Sequence, residues 1–173
     1  MEGAGSDGLS PYLRSGIIAG LVVLALDQAS KLWLLNVFDI AHRGAVKPTP
    51  FFDLVLAWNV GISFGWFQNE SPVAQIGLMV VKAVAVIVLG VWMAWSRTLI
   101  ATVALGLIIG GAVGNAIDRL AYGAVVDFAL FHVQSGGNTY NWYVFNLADT
   151  AIVAGVIALL YDSFLGVPAA KAP

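Results

Sequence analysis

Four long runs of apolar residues, at about 16–37, 73–95, 98–117 and 147–166, set the plan of this chain. Each approaches the roughly 20 residues that a helix needs to cross bilayer hydrocarbon. The pattern therefore predicts four spans. Only Gln75 and Lys82 interrupt the second. In the third, Gly106, Gly110 and Gly114 recur every four residues, a small-residue stripe that predicts close approach to a neighbouring helix. Ser96-Arg97 joins spans two and three as a tight hairpin, whereas the connections at about 38–72 and 118–146 are long. Phe51 to Phe67 is aromatic and Val-containing, and Tyr140 to Phe145 is similar. Both predict short strands or interfacial segments with aromatic anchors. Pro48, Pro50 and Pro72 punctuate the first connection. The fold class is thus all-α, four transmembrane helices with a small β-containing element between spans one and two.

Parity gives this pattern a consequence. With four spans, both long connections emerge on one face, opposite both termini. Asn59 and Gly61 lie in the first connection. Asn115, Asp118 and Arg119 end span three, and Asn146 and Asp149 begin span four. Asp27 and Lys31 fall in the half of span one nearer the same face. The unusual polar residues converge on one membrane surface. Lys and Arg do not say which surface it is: Arg14, Arg97 and Lys171 balance Arg43, Lys47 and Arg119.

Composition narrows the class. The 173 residues are 60% hydrophobic and only 10% charged, where soluble domains carry about 25% charged residues. A net charge of -2 offers no footprint for nucleic acid. The absence of cysteine removes thiol nucleophiles, disulfides and thiolate metal sites. Two histidines, His42 and His132, are too few for an ordinary metal centre. The segment from Met1 to Leu13 is Gly/Ser-rich with no positive charge before Arg14, and the first apolar run meets Asp27, Gln28 and Lys31 without a clear cleavage site. It reads as a retained span and not a secretory signal. Residues 1–173 are expected to form a single integral membrane domain.

Asp127 and Asp149 are the candidates for acid/base chemistry. Acids at the edge of hydrocarbon are costly and mark function by default. Asp127 sits between Val126 and Phe128, surroundings that raise a carboxyl pKa by desolvation. Asp149 falls three residues after Asn146 at a helix start, where Asn146 caps the helix and the N-terminal field favours negative charge. Two such carboxylates, if they meet, supply a base and an acid to one water. Twenty-two residues separate them, and spacing alone does not bring them together. Asp27 and Lys31, i and i+4 with the acid first, read as a structural ion pair. Arg119 pairs with Asp118 or stands as a fixed positive charge beside the site. Lys82 has no evident partner. Gly61-Ile62-Ser63-Phe64-Gly65 matches G-x-S-x-G, with His132 following, but that motif needs a strand-to-helix turn in a large sheet. Loop geometry accounts better for its glycines.

Five motifs in order carry a resemblance to a known family: Asp27-x-x-x-Lys31, Asn59-x-Gly61-x-Ser63-Phe64-Gly65, Gly114-Asn115-x-x-Asp118-Arg119, Gly123-x-Val125-x-Asp127-Phe128 and Phe145-Asn146-x-Ala148-Asp149. Across roughly residues 16–166 the chain resembles the lipoprotein signal peptidases, or signal peptidase II. The resemblance implies a catalytic dyad of Asp127 and Asp149. Asn59, Gly61, Asn115, Arg119 and Asn146 would bind substrate or support the dyad, and Asp27, Lys31 and Asp118 would be structural. It further implies diacylglyceryl-modified prolipoproteins as substrates, cut just before the lipid-modified cysteine. The setting would be the bacterial cytoplasmic (inner) membrane, with the first connection as an extracytoplasmic cradle and the active site toward that face. Neither cofactor nor metal is expected; the partners are substrate and membrane lipid, not nucleic acid, and the chain is expected to act as a monomer. A proton-coupled transporter is the main competitor of another class, but its polar groups would line a path through every span.

Overall fold

A computed structural model describes residues 9–60 and 72–165. In chain order the elements are α1 (Leu13–Asn36), α2 (Ile40–Arg43), β1 (Val46–Thr49), β2 (Phe52–Asn59), α3 (Pro72–Trp95), α4 (Leu99–Tyr122), β3 (Val125–Ser135), β4 (Asn138–Asn141) and α5 (Leu147–Leu165). The apolar runs become α1, α3, α4 and α5, as expected. Among the described residues, three of the four expected spans reach a membrane-crossing length, Leu13–Asn36, Leu99–Tyr122 and Leu147–Phe164; the apolar stretch of α3, Met79–Trp95, is shorter and falls below it. This is a multi-pass membrane protein.

Helix α4 packs between α1 and α5, and glycine makes that possible. A Cβ on Gly106 would collide with the Gly16 carbonyl oxygen, and one on Gly110 with that of Gly20. On its other side, a Cβ on Gly111 would come within 2.5 Å of the Ala148 carbonyl oxygen. The glycine stripe therefore does what its spacing predicted. Thr98 starts α4 by accepting a hydrogen bond from the Ala101 N–H at 3.1 Å. Gly123 ends it at φ 74°, its N–H donating to the Arg119 carbonyl oxygen at 3.0 Å. The helix thus continues past the expected end at 117, and Asn115, Asp118 and Arg119 lie inside it.

The β element is larger than predicted. Four antiparallel strands run in the order β1-β2-β3-β4, so the sheet draws on both long connections and not on the first alone. β2 pairs with β3, placing Ala57 opposite Asp127 and Asn59 opposite Val125. That pairing places the two connections on the same side of the helices. The sheet seats on the end of α1 through a small core of Leu34, Ile40, Phe128 and Ala129, flanked by Phe38, Phe52 and Phe145. Pro48 is tolerated in β1 because β1 is an edge strand.

Candidate active site

The expected polar residues meet where α1, α4, α5 and the sheet join. Asp127 is held on β3, and the N-terminal turn of α5 carries Asp149. Asn146 connects them. Its side-chain oxygen accepts from the Asp149 N–H at 2.9 Å, while its own N–H donates back to Asp149 Oδ2 at 3.2 Å. This reciprocal cap is the one expected from their spacing. The same side chain donates from Nδ2 to Asp127 Oδ1 at 2.7 Å and to Asn115 Oδ1 at 3.0 Å. Asn115 Nδ2 donates to Asp149 Oδ1 at 2.8 Å. From the neighbouring strand, Asn59 Nδ2 donates to Asp127 Oδ2 at 3.0 Å. Both acids are thereby fixed by amides, which offer donors without neutralising charge.

Asp127 and Asp149 feel each other electrostatically. Burial is the main force on Asp127, pushing its pKa up to about 6; the Asp149 charge adds to the rise, while the Asn59 and Asn146 hydrogen bonds and the Lys31 charge oppose it. Arg119 donates from Nη1 to the Asn115 carbonyl oxygen at 3.1 Å and lies within electrostatic reach of Asp127, Asp149 and Asp118.

Beside Asp127 and Asp149 lies a second, deeply buried cluster. Lys31 Nζ is 2.8 Å from Asp27 Oδ2 and 2.7 Å from Asp118 Oδ2, and donates to Asn115 Oδ1 at 3.2 Å. The expected Asp27–Lys31 pair is present. Asp118, however, pairs with Lys31 and not with its neighbour Arg119, because adjacent positions on a helix point in different directions. Asp118 Oδ2 also accepts the Val126 N–H at 3.1 Å, and Asp27 Oδ1 accepts the Ala148 N–H at 3.0 Å. These two bonds tie the cluster to the strand of Asp127 and the helix of Asp149.

Sequence reasoning missed Gln28. Its Nε2 donates to Asp118 Oδ1 at 2.9 Å and to the Gly114 carbonyl oxygen at 3.2 Å. An amide beside Asp27 within an apolar run was the available signal. Lys82, given no role on sequence grounds, stands within electrostatic reach of Asp149 and Arg119. His132 is buried against Asp53, with Nδ1 3.7 Å from Oδ2. Gly61, Ser63 and Gly65 lie outside the described residues.

The fold is shared with solved bacterial membrane enzymes. One, determined by the in meso method, superposes with a TM-score of 0.75 over 94% of this chain and 100% of its own, at 22% identity. A second gives 0.74 over 96% and 99%, at 23% identity. At these identities the likeness is one of fold. Sequence goes further: the family model described as signal peptidase (SPase) II matches residues 19–165. The lipoprotein signal peptidase of Nitrobacter hamburgensis is 73% identical over 161 residues, covering 93% of this chain and 98% of that protein. Its counterpart in Rhodopseudomonas palustris strain TIE-1 is 65% identical over the same shares. This chain belongs to the signal peptidase II family.

Proposed function

We propose that this protein is an aspartyl endopeptidase that removes the signal peptide from diacylglyceryl-modified prolipoproteins, cutting before the lipid-modified cysteine. The observation that carries the reading is Asn146, one side chain hydrogen-bonded both to Asp127 and to the capping turn of Asp149. Family membership supplies the substrate class.

In the proposed mechanism Asp127 begins protonated and Asp149 ionised. Burial raises the proton affinity of Asp127, which makes it the acid of the pair in this proposal. Asp149 takes a proton from a water held between the two, and the water oxygen bonds to the scissile carbonyl carbon. Asp127 gives its proton to the carbonyl oxygen as the tetrahedral intermediate forms. The C–N bond then breaks: Asp149 returns a proton to the leaving amine, and Asp127 recovers one from the hydroxyl as the new carboxyl forms. Arg119 supplies positive charge near the developing oxyanion. No metal or covalent intermediate is used. Because the acids are coupled, measured pKa values belong to the pair.

The same reading makes α3 the fourth span and places the sheet on the extracytoplasmic face of the bacterial cytoplasmic membrane. Water reaches the dyad there while the signal helix and acyl chains stay in lipid. The test is cleavage of a diacylglyceryl-modified prolipoprotein by purified protein in detergent. Wild type should cut, and Asp127→Asn and Asp149→Asn should fold and bind substrate without cutting. Normal cleavage by either variant refutes the dyad.

A further inference from the structure

A cleft of about 580 Å³ opens between α5 and the hairpin of β3 and β4. Tyr140, Trp142 and Tyr143 line one wall, Thr150 and Val153 the other, and Asp149 stands on its border. It is therefore continuous with the candidate active site. Its lining is almost wholly apolar or aromatic, and Tyr140, Trp142, Tyr143 and Val153 are exposed. From Val153 the same exposed face of α5 runs on through Ile157, Leu160 and Phe164, at the i, i+4, i+7, i+11 spacing of one helical stripe.

Length identifies the occupant. Eleven residues of helix rise about 17 Å, close to the roughly 15 Å of one leaflet in a hydrocarbon core about 30 Å thick. A signal helix about 10 Å across would fill roughly 420 Å³ per turn, so the cleft holds little more than one turn of it. The geometry points to the cleft and the α5 stripe as the seat of the acyl chains on the substrate's modified cysteine. That cysteine follows the scissile bond directly, so its lipid begins only a few bonds from the carbonyl presented to Asp149. Tyr140, Trp142 and Tyr143 would bracket the glyceryl esters at the interface, where amphipathic rings settle. This inference rests on the function proposed above and assigns one of its subsites.

The experiment uses a prolipoprotein whose acyl chain carries a diazirine, bound to the full-length Asp127→Asn protein, irradiated and mapped by mass spectrometry. Adducts on Trp142, Tyr143 and the Val153–Ile157 turn are expected; adducts confined to α1 or α3 overturn the assignment. A second arm follows cleavage kinetics of Val153→Trp, which narrows the cleft one helical turn along α5 from Asp149. KM should rise roughly tenfold with kcat within about twofold, the signature of lost ground-state binding. The rise should shrink for a substrate with short acyl chains. An unchanged KM, or an equal rise for both chain lengths, sinks the cleft. Wild-type cleavage of the diazirine substrate separates the two readings: cutting with adducts elsewhere refutes the subsite alone, and failure to cut refutes the peptidase reading together with the subsite.

Discussion

At the scale of single residues, the candidate site is a pair of acids held by shared amides. Asn146 donates to Asp127 and caps Asp149. Hydrogen bonds to charged groups are worth about 1.5–3 kcal/mol each. Asn146→Ala, which removes both, should lower kcat/KM on the order of a hundredfold or more; steady-state cleavage checks this. The pH profile follows from Asp127. Its pKa is pushed up to about 6, so it keeps a proton below that value and loses it above. A mechanism that needs one proton on the pair then loses activity as pH rises, and kcat/KM of the free enzyme should show a basic limb near pH 6. A profile flat from pH 5 to 8 would contradict the proposed division of labour. Lys31 is the only cation bonded to Asp27 and Asp118 among the described residues. Removing one partner of a buried ion pair typically costs about 3–5 kcal/mol. Lys31→Met should therefore lower the unfolding temperature in detergent sharply, with activity falling in consequence.

Among elements, glycine decides where helices touch. Gly110→Leu would drive a side chain into the Gly20 backbone and part α1 from α4. A Cβ on Gly90 meets nothing within 4 Å, so Gly90→Ala should be neutral or stabilising by up to about 1 kcal/mol. Comparing the two by thermal unfolding tests the packing directly. The same helices show what the sequence could and could not say. Their positions were legible to within a few residues because membrane hydrocarbon imposes a length. The end of α4 was not, since Asn115, Asp118 and Arg119 look like a chain leaving the membrane. Asn115 bonds to Asp149 and Asp118 to Lys31, groups invisible from local sequence. β3 escaped notice for a related reason. Val125 through Ala129 are all buried, so the alternation that marks a half-exposed strand is missing. Asp127 and Asp149 stood out individually as acids beside apolar runs. That the side chain of Asn146 bonds to both is a tertiary fact.

For the whole molecule, the question is which way it faces. With no cysteine in the chain, single cysteines report cleanly. In intact cells, Gly136→Cys in the β3–β4 turn should react with a membrane-impermeant maleimide, and Arg97→Cys should react only after permeabilisation. The reverse pattern would turn the proposed orientation over. The bond from the Ala148 N–H to Asp27 Oδ1, 121 residues apart in sequence, also has a bearing on time. Ribosomes deliver α1 early and α5 after every other described element. Until α5 arrives, Asp27 lacks that donor and Asp127 waits on its strand without Asp149. Under the proposed mechanism a chain that still lacks α5 is therefore inert toward every signal peptide already in the same membrane, and proteolysis begins only once α5 has been delivered.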